Sequence, residues 1–176
     1  MSVSKLILDP LFETVKYGSS DELPTRQAML DAGTYVDAQD ATGNRLLHYA
    51  VLRGESRFAI DLLAIGANVK AKDADGRTAL HHAARLGNRS LTADLIAAGA
   101  DVNAQDDDDR TPLHHAAMGL ARDDHEDSRT ICRQLLRAGA EMYAPDRSGR
   151  NAHQRLLAEV GHLPNAFEIG RRFPSY

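Results

Sequence analysis

Paired histidines are the residues of this chain best suited to chemistry. His81-His82 and His114-His115 stand 33 residues apart, with His48 a further 33 residues upstream. Imidazole is a common metal ligand and the usual general base near neutral pH. A zinc site, however, takes four ligands at short fixed spacings. No Cys or carboxylate completes such a set at motif spacing around either pair. The run Asp73-Ala74-Asp75-Gly76 opens like a calcium loop, but that loop needs a bidentate Glu at its twelfth position. Counted from Asp73, the position is held by Ala84. No nucleophile elbow, phosphate-cradling glycine loop or zinc-protease helix motif is present. The sequence therefore predicts no catalytic residue, no cofactor and no metal. An enzyme working through the histidine pairs and nearby carboxylates stands as the disfavoured alternative.

What positions the histidines is a repeat. Thr-Ala-Leu-His-His-Ala-Ala at 78–84 returns as Thr-Pro-Leu-His-His-Ala-Ala at 111–117, and a weaker copy lies at 45–51. Gly33, Gly66 and Gly99 keep the same 33-residue period, and Gly139 follows after 40, so the last full unit has gained 7 residues. Self-similarity at this period marks stacked units that cannot bury their apolar faces alone. Thr78 and Thr111 suit helix N-caps, and Pro112 suits a first helical position. The small pairs Ala83-Ala84 and Ala116-Ala117 let neighbouring helices approach. A second helix follows in each unit. Phe58, Leu62 and Leu63, then Leu91, Leu95 and Ile96, then Ile131, Leu135 and Leu136 mark one buried face. The glycine after each run is the expected left-handed stop. Before the first helix comes Asp-x-x-Gly: Asp40 to Gly43, Asp73 to Gly76, Asp146 to Gly149. There the Asp bonds local backbone and the Gly takes positive φ. Each unit reads as turn, helix, helix, loop, and the fold class as all-α.

Composition narrows the function classes. The chain has 176 residues and a formal net charge of −4, which suits one compact domain or one short array. Trp is absent and aromatics are 5%, so the core is aliphatic. A mild acidic excess gives no reason to expect nucleic acid. The single cysteine, Cys132, forms no internal disulfide and falls among apolar helix neighbours, where it reads as a core thiol in a reducing compartment. No apolar run is long enough for a signal peptide or for the ~20 residues of a membrane span. The expected location is cytoplasmic, with delivery by a non-classical route left open.

The units resemble the ankyrin repeat: D-x-x-G-x-T-P-L-H-x-A-A-x-x-G, then V-x-x-L-L-x-x-G-A-x-V-N. The match is strong at 73–103 and good at 40–70 and 106–143, and in some form it covers residues 9–158. The resemblance implies an ankyrin-repeat solenoid of stacked helix-turn-helix units with β-turn fingertips, forming a single domain over 1–176. Its parts would be an N-terminal cap (1–38), full repeats (39–71, 72–104, 105–144) and a C-terminal cap with tail (145–176). It implies that the first His of each pair makes structural hydrogen bonds near the turn. It also implies partner-contacting positions: Ala41, Thr42, Asn44, Leu52 and Arg53; Ala74, Asp75, Arg77, Arg85 and Leu86; Asp107, Asp108, Arg110, Met118 and Gly119. Arg53, Arg85, Leu86 and Met118 would line a concave groove. In the caps, residues 9–18 and 24–32 are expected to be helical. Phe167, Ile169, Phe173 and Tyr176 are expected to fold back and seal the end, or else to form a docking segment.

Three places break the rhythm. Asp109 replaces the turn glycine, so Asp106, Asp107, Asp108 and Asp109 form one exposed acidic turn, −3 with Arg110 included. Such a tip is either a solvated turn or a contact for a basic partner. The next turn, with Asp146, Arg147 and Arg150, is net +1, which predicts acidic and basic sectors. The inserted stretch falls within Gly119 to Arg129 as an expected loop between helices, with Asp123, Asp124, His125, Glu126 and Asp127 as contact candidates. The irregular tail after Gly161 is the third. The predicted function is a monomeric, non-enzymatic protein-binding module that inhibits, masks or scaffolds its partner, without nucleic acid or membrane. Homo-assembly through the C-terminal aromatics is the alternative.

Overall fold

The computed structural model describes residues 15, 17–18, 36–119 and 125–155, with the backbone alone of residues 125 and 126. Its helices are α1 (Leu46–Leu52), α2 (Ser56–Ala64), α3 (Ala79–Arg85), α4 (Arg89–Ala97), α5 (Pro112–Gly119) and α6 (His125–Arg137). Residues 152–155 are helical as well. No strand occurs among the described residues, only an isolated antiparallel bridge between Lys72 and Thr78. The fold is all-α. The helices form two layers: α1, α3 and α5 pack in sequence, and α2, α4 and α6 pack behind them. The expected helix over 24–32, the tail beyond 155, and Asp123 and Asp124 lie outside the described residues.

The core is aliphatic and follows the predicted stripe. Leu62, Leu91, Leu95, Ile131 and Leu135 are fully buried beneath Leu80 and Leu113 of the first-helix layer. Burying each such side chain contributes about 1.5–3 kcal/mol. Ala83, Ala84, Ala116 and Ala117 are buried where α3 meets α5. Cys132 is buried, and burial pushes its thiol up to about 12.

The insertion differs from expectation. Helix α6 has 13 residues against nine in α2 and α4 and begins at His125, so His125, Glu126 and Asp127 extend the helix rather than a loop. Two interactions account for this. Acidic residues are favoured in a first helical turn, and Ser128 is buried against Gly119, whose Cβ position would lie 3.3 Å from the Ser128 hydroxyl.

The turns are built alike. The Asp73 Oδ1 accepts the amides of Asp75 and Arg77, and the Asp106 Oδ1 those of Asp108 and Arg110, all at 2.9 Å. Asp40 and Asp146 repeat the pattern. Successive tips are joined by one main-chain bond per step: Ala74 N to Thr42 O at 3.2 Å, Asp107 N to Asp75 O at 3.0 Å, Arg147 N to Asp108 O at 2.8 Å. That stacking is why glycine sits fourth in the first turn. A Cβ on Gly43, at φ 73°, would lie 2.7 Å from the Ala74 nitrogen. Asp109 occupies the same left-handed position at φ 58°, the sole non-glycine with positive φ among the described residues. The tip ladder still closes beside it.

Between units the decisive contact is an imidazole. The Nδ1 of His81 accepts the Thr78 amide at 3.0 Å, and its Nε2 lies 3.0 Å from the Arg110 carbonyl of the next unit. His48 links the Arg45 amide to Ala71 O, and His114 links the Thr111 amide to Arg150 O. An acceptor at Nδ1 requires the proton on Nε2, so each ring is neutral and donates onward. Burial, which penalises the charged ring, depresses His48 and His81 to about 4 from the ordinary 6.5. At the last described unit Gln154 takes the capping half of this role: its Oε1 accepts the Asn151 amide at 3.0 Å.

Two predictions follow from the turns and bridges. The unfolded chain takes up protons below pH 6.5 that the buried rings of His48 and His81 refuse until about pH 4. Stability is therefore full above pH 6.5 and falls with acid across that window, by at most about 1.4 kcal/mol per pH unit for each ring. Urea midpoints will drop from about pH 7 to about pH 5. His81→Gln will be less stable by roughly 1–3 kcal/mol at neutral pH yet show a shallower drop; an unchanged slope would contradict the bridge. Separately, Asp109→Gly will raise stability by about 0.5–1 kcal/mol by relieving the left-handed backbone. A lower urea midpoint would show that the carboxylate's contacts outweigh that cost.

Candidate functional site

The second histidines are framework too. His82 Nε2 meets Asp73 Oδ2 and His115 Nε2 meets Asp106 Oδ2, both at 2.8 Å. Tyr49 donates to Asp40 and Arg155 to Asp146 in the corresponding places. A donor thus stands nine residues after each turn Asp, a spacing visible in the sequence that motif reading passed over. Burial alone would raise the Asp106 carboxyl, but the His115 hydrogen bond and the turn amides outweigh it and hold it well below the usual carboxylate range. Asp146 is held low by Ser148 and Arg155 against the same burial. The rings also pack edge to face, His48 on His82 at 6.0 Å and His81 on His115 at 5.2 Å between centroids. Both ring nitrogens of His48, His81 and His114 are engaged within the fold. Among the described residues no group of three or more His, Cys, Asp or Glu is arranged to hold a metal.

This geometry corrects the acidic turn. Asp106 is buried, 5% exposed, so the tip presents three carboxylates, not four. The turn bends Asp106 inward because its Oδ1 caps the turn amides while its Oδ2 takes the His115 ring. The sectors are corrected as well. Arg147 reaches back to Asp108 at 3.6 Å and Asp109 at 4.0 Å, so the basic tip interleaves with the acidic one. Arg110 pairs with Asp108 and Arg77 with Asp75, each at 2.9 Å. Arg147 is not among the contact positions that the repeat pattern implies; only stacking brings it to the acidic tip. These pairs are mostly exposed and each contributes about 0–1 kcal/mol, so they are cheap to exchange. Asn44 instead turns into its own turn, its Nδ2 donating to Thr42.

Beside the tips, the ends of the first helices form two rows in the 33-residue register. One holds Leu52, Arg85 and Met118, the other Arg53, Leu86 and Gly119. Leu52 is 41% and Leu86 49% exposed, while Arg85 and Met118 are half-buried. Arg53 departs from the groove assignment. Its guanidinium donates to the Val15 carbonyl at 2.8 Å and pairs with Glu55 at 3.5 Å, which ties it to the preceding segment. Gly119 is buried, and its Cβ position lies 3.0 Å from the Arg85 carbonyl, so it serves close packing. Of the insertion candidates, Asp127 pairs with Arg89 at 3.4 Å.

No helix among the described residues is long and apolar enough to cross a membrane. No curated protein was found to match the chain. The family model described as "Ankyrin repeats (3 copies)" matches residues 11–106 and again residues 47–146. Its matches cover most of the sequence and take in the repeated turns, the bridging histidines and the paired helices. The chain belongs to the ankyrin-repeat family.

Proposed function

We propose that this chain is a non-enzymatic, cytoplasmic protein-binding module that acts by occupancy, as an inhibitor, mask or scaffold. Ankyrin repeats are in general protein–protein interaction modules. The observation that supports the reading here is the pair of leucines, Leu52 and Leu86, left exposed at the ends of adjacent first helices beside the tips. The other leucines among the described residues are buried or half-buried, so two exposed in neighbouring units are available to a partner. Arg85 stands between them in register, and a few apolar and Arg residues are the usual material of a binding hot spot. The tip residues Asp75, Arg77, Asp107, Asp108, Asp109, Arg110 and Arg147 form a polar flank that orients a partner more than it adds affinity.

The test compares wild type with Leu52→Glu/Leu86→Glu, both as purified full chains, against proteins captured from the native cell. A true partner loses affinity about a hundredfold or more, the scale of a hot-spot loss, while thermal stability hardly changes because both side chains are already exposed. Undiminished binding of every captured protein by the double variant would remove the helix-end surface from the function.

A further inference from the structure

The outer helices line up by register, and the positions on their outward face, exposed except for the half-buried Ser56 and Arg129, change charge from unit to unit. In α2 these positions are Ser56, Ile60 and Ala64; in α4, Arg89, Ala93 and Ala97; in α6, Arg129, Arg133 and Arg137. The neighbouring register shifts the same way, from Asp61 and Asp94 to the neutral Gln134. The only cation in the α4 set, Arg89, pairs with Asp127. In α6, Arg133 and Arg137 are exposed and, among the described residues, have no ion-pair partner. Arginines at i, i+4 and i+8 stand on one helix face, where like charges repel and weaken the helix. Arg137 alone has a local benefit, lying in the last turn at the negative end of the helix dipole. A protein of net charge −4 thus concentrates unpaired positive charge on its last full outer helix.

We infer that the arginine face of α6 is a second docking surface, distinct from the helix-end rows, for an acidic α-helical segment of a partner protein. The exposed part of the stripe is Arg133 and Arg137, about 6 Å apart along the axis because a helix rises about 1.5 Å per residue, with the half-buried Arg129 one step behind them. Carboxylates at every fourth position of a partner helix repeat that step, and guanidinium groups take carboxylates in bidentate pairs. The adjoining α4 positions are the exposed alanines Ala93 and Ala97, small enough for a helix to lie close. A long polyanion would extend past the stripe onto an acidic body. A lipid surface would need large apolar side chains to insert, and among the described residues the one exposed on the second layer is Ile60 on α2.

The probes are an alanine-based helical peptide with Glu at every fourth position and its Gln counterpart, titrated against the full chain by fluorescence anisotropy. The Glu peptide will bind and the Gln peptide will not, and rising salt will weaken binding. Arg133→Glu/Arg137→Glu will lose about tenfold or more in affinity. The Lys pair at the same positions will lose only a few-fold, since charge remains without the fork. If the reversal variant no longer melts cooperatively, the Gln pair at both positions is read the same way. Equal affinity for the two peptides, no binding of the Glu peptide, or unchanged binding by the charge variants would overturn the inference. So would tighter capture by phosphatidylserine vesicles or by a single-stranded oligonucleotide than by the Glu helix.

Discussion

Everything else in the structure rests on a neutral imidazole that accepts at its own helix start and donates to a carbonyl further along the chain, in the next unit for His81 and His114 and at the end of its own unit for His48. His48, His81 and His114 each take an N-cap amide at Nδ1 and present Nε2 to a carbonyl 23 to 36 residues ahead. One side chain thereby starts a helix and fixes the position of the following turn. The arrangement tolerates neither charge nor water. A protonated Nδ1 would oppose an amide N–H, and a bridging water would compete for the carbonyl. The ring must be buried, and burial in turn keeps it neutral.

That constraint spreads outward. The bridge holds each turn against the preceding unit, which brings successive tips into main-chain contact and leaves no room for a Cβ on Gly43. It also sets the second histidines against the turn carboxylates, since His82 and His115 follow directly on bridging rings. Asp73 and Asp106 become buried anions whose hydrogen bonds outweigh the cost of burial. The residues that looked most chemical are thereby spent on the framework. Binding capacity falls to what the framework leaves over: the helix-end leucines, the exchangeable tip pairs, and the arginines of α6.

Much of this was legible in the residues. The 33-residue period, the Asp-x-x-Gly turns, Thr78 and Thr111 as caps, and the Leu and Ile stripes of the second helices each carry a local physical rule. Cys132 read correctly as a core thiol for the same reason. Misreadings arose where a residue's state depends on another unit. Asp106 looks identical to its three neighbours, and only the ring of His115 distinguishes it. Arg53 looks free until the carbonyl of Val15 is placed beside it. The insertion broke the period, yet half of it joined α6, because Ser128 found a buried seat against Gly119.

By itself, then, the sequence determined what each unit is. Local propensities, turn chemistry and apolar spacing act over one to five residues, and a repeat states them three times over. Only the tertiary structure decided which charges remain available. Asp108 and Arg147 are 39 residues apart, and their pairing exists because stacking sets one tip on the next. Arg133 and Arg137 stay unpaired, and the α4 positions in their register are the alanines Ala93 and Ala97. Electrostatic partnership is settled by distance in space, and for a stacked array that distance is set between units, beyond the reach of any local pattern.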